Sequence, residues 1–365
     1  MKLFQRMLVA PAALGLLAPI SANANEVNLN EISNYSDRQT IEFSNFVNTD
    51  GQPESLLIAG GEGLVDAPAD TFSSTTSASF GSNFYVGSID ESPDDGAVTF
   101  TYDFSLGLST SFTGEDSLDV AIIGGNGAAT AVHGVMGGDS TGDHLDLDGV
   151  SYTFPLGGFT VIAGDGVGVD DLNSGACAYS AFTDTAGDCG TPSIGGAADS
   201  AVAASYDFGN GFTAAGGVGF DSESTGILND EDASTIGLEV AYAADTYAVS
   251  LAYTDDDEVA GDTTYYSLQA SYTPDAPYSI SAGYEKDDDE ATSYLLGLTT
   301  EVGPGSLSVG YGTQSLADDH DDNMFYEVAY AYDVNDGMTV TPGMFVAETP
   351  GDDAFGLVVT TSFSF

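Results

Sequence analysis

The chain has 365 residues, with 57 Asp plus Glu against 4 Lys plus Arg and a formal net charge of −53 at pH 7. So few basic residues exclude a nucleic-acid binder, which needs them to displace counterions from phosphate. A content of 42% hydrophobic and 11% aromatic residues excludes an acidic disordered chain, and the Gly-, Ser-, Thr-, Val-, Tyr- and Phe-rich vocabulary points to an all-β fold.

Residues 1–24 read as a secretory signal. Lys2 and Arg6 form its basic start, Met7 to Ile20 its apolar stretch, and Ala22-Asn23-Ala24 a small-x-small cleavage site. Its removal leaves Arg38 and Lys286 as the basic residues. After it no apolar run reaches about 18 residues, so any membrane crossing falls to strands. Residues 25–73 are expected to be a periplasmic lead-in and 74–365 a barrel, which can form one domain at this length.

From residue 74 the sequence alternates apolar and small polar residues, the period of a strand. Strands are predicted over 74–88, 97–113, 117–125, 145–154, 158–165, 199–208, 212–220 and 234–243. Eight more follow over 246–254, 263–273, 277–285, 292–301, 305–312, 324–333, 338–347 and 354–365. The connections alternate between short turns, such as Gly209-Asn210-Gly211 and Ala244-Asp245, and long polar loops, including 126–144, 166–198, 221–233 and 313–323. An even strand count with short turns on one rim and long loops on the other is the pattern of a transmembrane antiparallel β-barrel of 16 strands. Tyr247, Val249, Leu251 and Tyr253 share one face, and Ala248, Ser250 and Ala252 the other. Apolar rows ending in Tyr or Phe, backed by small residues, suit a lipid-facing wall around a wet interior, with Tyr and Phe as girdles because Trp is absent. The competing fold is a secreted acidic β-sandwich or solenoid, whose apolar face would be dry.

Leu8 to Ile20 and Val27-Asn28-Leu29-Asn30-Glu31-Ile32-Ser33-Asn34-Tyr35 resemble the start of cyanobacterial outer-membrane porins. Val98-Thr99-Phe100-Thr101-Tyr102-Asp103 with Leu108 to Gly114, and Ser205-Tyr206-Asp207-Phe208-Gly209-Asn210-Gly211, resemble an early strand and a hairpin of that family. Phe365 fits its aromatic C-terminus. The resemblance implies a general-porin-like barrel, a homotrimer, and a loop after the fifth strand, here 166–198, that folds inward as the constriction. It departs in one respect: residues 25–73 are too few for the S-layer-homology domain such porins carry, so wall anchoring is not implied.

Strand parity sends Asp103, Asp119, Asp207, Glu239 and Glu327 inward, because a charge facing lipid costs a few kcal/mol near the midplane. Loop 166–198 adds Asp170, Asp171, Asp184 and Asp188. An acidic lumen without basic partners attracts cations and repels anions. The expected activity is passive diffusion of ions and small hydrophilic solutes, with outer-membrane lipids as surroundings, no cofactor and no nucleic-acid partner. A non-conducting barrel serving as receptor or anchor is the alternative. Two Cys twelve positions apart in an exported chain, Cys177 and Cys189, favour one local disulfide, with a free thiol or metal role as the alternative. Runs such as Asp255-Asp256-Asp257-Glu258 and Asp287-Asp288-Asp289-Glu290 read as solvated outer loops, weak cation capture being the other reading. Asp146-Leu147-Asp148-Gly149 fails as a calcium loop because His144 and Pro155 occupy positions that should be acidic. His133, His144 and His320 all fall in loops, and no nucleophile elbow or Walker motif appears, so no enzyme is expected, an outer-membrane hydrolase with an inward Ser-His pair being the other reading.

Overall fold

The structure is a computed structural model that describes residues 75–90, 96–127, 130–196, 198–220, 234–258, 261–318, 323–348 and 353–364. The signal segment 1–24, the lead-in 25–73, Phe365, His320, the runs Asp94-Asp95 and Asp230-Glu231-Asp232, and Asp352 lie outside the described residues. The first four strands are β1 (Thr75–Ile89), β2 (Thr99–Ser111), β3 (Ser117–Gly125) and β4 (Asp146–Leu156). Next come β5 (Phe159–Asp165), β6 (Ser200–Gly209), β7 (Phe212–Phe220) and β8 (Ser234–Ala243). They are followed by β9 (Tyr247–Glu258), β10 (Gly261–Tyr272), β11 (Tyr278–Asp287) and β12 (Thr292–Val302). The last four are β13 (Gly305–Thr313), β14 (Met324–Asn335), β15 (Met338–Ala347) and β16 (Ala354–Ser364). Each strand pairs antiparallel with its sequence neighbours. β1 closes the barrel by pairing with β16, from Gly81 opposite Ser364 to Ile89 opposite Gly356.

Closure gives every strand a partner on both sides, which is the only way a sheet can cross hydrocarbon without stranding backbone N–H and C=O groups. The two faces divide as the period-two pattern requires. On β8, Leu238 and Val240 are 54% and 56% exposed on the outside, while Glu239 and Ala241 between them are 2% and 3% exposed on the inside. The outside also carries touching aromatic rows. Near the short turns, the rings of Phe159, Tyr206 and Phe208 touch in sequence at tilted and edge-on angles, and those of Phe212, Tyr242 and Tyr247 do so at tilted ones. Nearer the long loops, Tyr311 and Tyr326 meet at 5.2 Å, and Tyr253 and Tyr266 at 5.6 Å. These are the Tyr and Phe girdles expected in the absence of Trp. The dry sandwich is excluded, because the apolar rows face away from the enclosed interior.

Two local differences from the sequence reading have physical causes. The acidic run Asp255 to Glu258, expected in an outer loop, belongs to β9 and pairs with Gly261 to Thr264. β-Branched Thr263 and Thr264 suit a ladder, and the run tolerates it because its side chains alternate: Asp256 turns inward and accepts a hydrogen bond from Thr235 Oγ1 at 2.6 Å. Lys286, expected in a loop, is the next-to-last residue of β11 and ties Glu290 across the following turn at 2.8 Å. Among the described residues, two short helical segments interrupt the long loops: α1 (Ala131–Val135) and a 3₁₀ segment over Asp184–Cys189 that is kinked at Gly187 and Asp188.

Candidate constriction and pore lining

The connection between β5 and β6 does not extend away from the barrel. It begins by burying Val167 and Val169 against Ile162 and Ala201 of the inner wall. It then runs across the inward faces of β7 to β15, held at each step by a small wall residue. A Cβ at Gly237 would lie 2.5 Å from Val169 Cγ2, one at Gly283 would overlap the Cys189 carbonyl, and one at Gly343 would lie 2.5 Å from the Phe182 ring. Glycine at these wall positions leaves the groove in which the loop rests. Cys177 and Cys189 form a disulfide with a Cα–Cα separation of 5.8 Å, closing the loop segment between them.

Wall side chains satisfy the loop's backbone. Glu239 accepts N–H bonds from Ser174 at 2.6 Å and Gly175 at 2.9 Å. Gln269 accepts from Ala176 N–H at 2.9 Å and donates to the Asp188 carbonyl at 2.9 Å. Glu285 accepts from Ser193 N–H and, at 2.7 Å, from Ser267 Oγ. Glu327 accepts four bonds, from Tyr179 Oη, Phe182 N, Thr183 N and Thr183 Oγ1, all between 2.7 and 3.0 Å. Charge-assisted bonds of this kind are about twice as strong as neutral ones. Burial, followed by the charge of Glu327, raises the Tyr179 phenol above its ordinary value, so the phenol stays a donor.

The residues expected to line the pore therefore separate into groups. Glu239 and Glu327 face inward as parity requires but are 2% and 3% exposed, covered by the loop they hold, so they are anchors and not lining. Asp103 is also buried, accepting from Tyr85 Oη at 2.7 Å and Asn83 Nδ2 at 2.9 Å. Asp207 sits at the short-turn rim, where it accepts the Gly209 N–H of its own turn at 2.7 Å. Asp119 faces a concavity of about 190 Å³ in the wall of β1 to β5, with Ser109, Ala121, Gly149 and Ser151 around it and Asp148 and Asp165 at its edge.

On the loop, Asp171, Asp184 and Asp188 are exposed and Asp170 half-buried. Partial burial, then the neighbouring charge of Asp170, raises the Asp171 carboxyl above its ordinary value. Partial desolvation by the wall beside the loop, then Asp170 and Asp184, does the same to Asp188. That mutual repulsion marks a concentrated negative field at the loop. Lys286, the one basic residue among the described residues, lies on the opposite face of its strand from Glu285 and so points away from the lumen.

A match to the Gram-negative porin family model covers residues 69–353. The chain belongs to the Gram-negative porin family. The porin is similar in fold to OprB of Pseudomonas putida, with a TM-score of 0.63 over 80% of this chain and 94% of that one at 14% identity. It is also similar to variants of the Rhodopseudomonas blastica porin. Two of these give TM-scores of 0.58 and 0.57 over 80% of this chain and all of theirs, at 13% and 12% identity. No curated protein matches the porin in sequence. Family and fold together make it a non-enzymatic channel protein of the outer membrane.

Sequence reasoning missed Glu285 and Gln269 as loop anchors. Their signal was present: Ser281, Gly283 and Glu285 alternate with Ile280, Ala282 and Tyr284, and Ser267 and Gln269 alternate with Leu268 and Ala270. Glu285 was obscured because it adjoins the acidic run that begins at Asp287.

Proposed function

We propose that the porin gives passive, cation-preferring passage to ions and small hydrophilic solutes, with loop 166–198 as its constriction and Asp119, Asp170, Asp171, Asp184 and Asp188 as the acids that set the preference. One observation carries this reading. The groups near the loop and the bare wall are carboxylates, and the one described basic residue points outward, tied to Glu290. Fixed charge of one sign beside a narrow, low-dielectric passage concentrates counterions and excludes co-ions. The loop's network of wall hydrogen bonds supports a rigid constriction rather than a mobile flap. The leader and lead-in motifs support a cyanobacterial type of porin. The same resemblance supports a homotrimer.

The test is the reversal potential of the purified protein in a planar bilayer under a KCl gradient. A potential of the sign set by K⁺ movement is expected, and D170N/D188N should move it toward zero. A potential of the opposite sign would overturn the reading. Bilayers without stepwise openings would favour a receptor or anchor instead.

A further inference from the structure

The connection between β3 and β4 was expected to be an outer loop, yet it also turns onto the inner wall. Asn126 N–H bonds the Tyr102 carbonyl at 3.1 Å, and Asp143 N–H bonds the Gly125 carbonyl at 2.9 Å, fixing both ends of the segment to the mouth. Between them Thr130 caps α1 by accepting the His133 N–H at 3.3 Å. α1 packs on β1 and β2, and its His133 is 2% exposed.

The His133 ring is held at both nitrogens. Its Nε2 lies 2.9 Å from the Asp139 carbonyl, which can only accept, so Nε2 carries a proton, and Nδ1 pairs with Thr101 Oγ1 at 3.1 Å. Tyr85 meets the ring edge-on at 5.4 Å and is itself held by Asp103. Gly127 and Gly138 flank the ring, and a Cβ at Gly138 would lie 2.5 Å from Cε1. Thr101 and Tyr85 are inward-facing wall residues, so this seat lies inside the mouth.

From that seat α1 reaches the tip of the constriction loop. Val132 shares one apolar cluster with Phe182 and Ala186 of the loop and with Phe345 and Val358 of the wall, with Val135 and Met136 packed against it. Gly137 lies so close to the tip that a Cβ there would be 2.9 Å from Asp184 Oδ1. A dry seam of this kind between two segments inside a barrel holds them in one arrangement, because opening it would wet apolar surface.

We infer that α1 and the rest of residues 130–145 form a second constriction element, clasped to the tip of loop 166–198, and that His133 is the positioning residue that sets the aperture by seating α1 on the wall. The passage then runs over the bare concavity of β1 to β5 that neither insertion covers. The inference rests on the channel reading above, and it concerns pore size rather than ion preference.

Single-channel recording with hydrogen exchange tests it. H133A should raise exchange at residues 131–136 and enlarge the conductance step by on the order of twofold, since conduction follows the open width of a constriction. The reversal potential should keep its sign. H133Q, whose amide can donate to the Asp139 carbonyl and accept from Thr101, should restore the wild-type step. If H133A does not insert, V132S/V135S empties the seam and leaves the histidine seat intact, and the same enlargement is expected. A wild-type step in a variant whose α1 exchanges freely overturns the inference. Silent wild-type bilayers would instead sink the channel reading, and the inference with it.

Discussion

Glu327 shows how the porin uses charge on its inner wall. Its carboxylate draws four donors from a loop more than a hundred residues earlier in the chain, so removing it strands two loop N–H groups in a closed space. Unsatisfied buried donors cost about 1–3 kcal/mol each, so E327A should lower the apparent unfolding temperature and release the loop tip, while E327Q, which keeps an acceptor, should do less. Heat-modifiable gel mobility and hydrogen exchange at 179–183 would read both effects. Asp116, in the turn after β2, makes a parallel case with a pH signature. It accepts from Ser111 Oγ, Phe112 N, Thr113 N and Tyr152 Oη at 2.6–2.9 Å. These bonds, the Tyr152 one first, hold its carboxyl below its ordinary 3.8. A lowered carboxylate stabilises the fold above its ordinary value and loses that contribution as pH falls through its folded value. D116N should therefore flatten the acid limb of the stability profile below about pH 4, measured as unfolding temperature against pH. Parity revealed that Glu239 and Glu327 point inward. It could not reveal that a second segment lies over Glu239 and Glu327, because burial there depends on a contact across the lumen and not on local pattern.

At the level of elements, the disulfide and the wall anchors hold loop 166–198 in different ways. Cys177–Cys189 closes a segment with a sequence separation of 12, for which the chain-entropy model gives about 3 kcal/mol. Gln269 and Glu327 hold backbone atoms inside that same segment, and Glu239 and Glu285 hold positions flanking it. C177S/C189S should thus speed exchange across 178–188 while β8 to β14 keep their protection and the conductance step stays near wild type. A large change of step would show that the disulfide, and not the wall, fixes the aperture. The strands themselves were readable from sequence because each carries several repeats of a period-two pattern, and many are bounded by Gly, Pro, Asn or Asp. α1 was not, since five residues hold too little of a 3.6-residue period to register. Its one available signal was compositional: Ala131, Val132, Val135 and Met136 form an apolar knot inside an otherwise polar loop. A knot of that kind in a barrel's long connection is better read as a docking surface for the lumen than as an exposed tip.

Over the whole molecule, a charge of −53 is tolerable because the described acids lie on rims, loops and the inner wall, while the lipid-facing rows are apolar. The loop acids stand close enough to perturb one another, so the proposed cation preference should depend on pH. Asp171 and Asp188 have carboxyls raised above the ordinary 3.8, by partial desolvation first and neighbouring acids second. As pH falls they take up protons before an unperturbed carboxylate would. A raised carboxyl binds its proton more tightly in the folded state, so stability rises through that window and does not fall. Cation preference should decline from above pH 4 without loss of the barrel, seen as a shrinking reversal potential at unchanged step frequency. D171N/D188N should remove the upper part of that decline and leave the lower part, which belongs to the remaining acids. Salt separates this field effect from a change of shape. The screening length is about 10 Å at 0.1 M and about 3 Å at 1 M, so the preference should weaken in concentrated KCl at neutral pH, whereas a pore remodelled by protonation would keep its altered selectivity there.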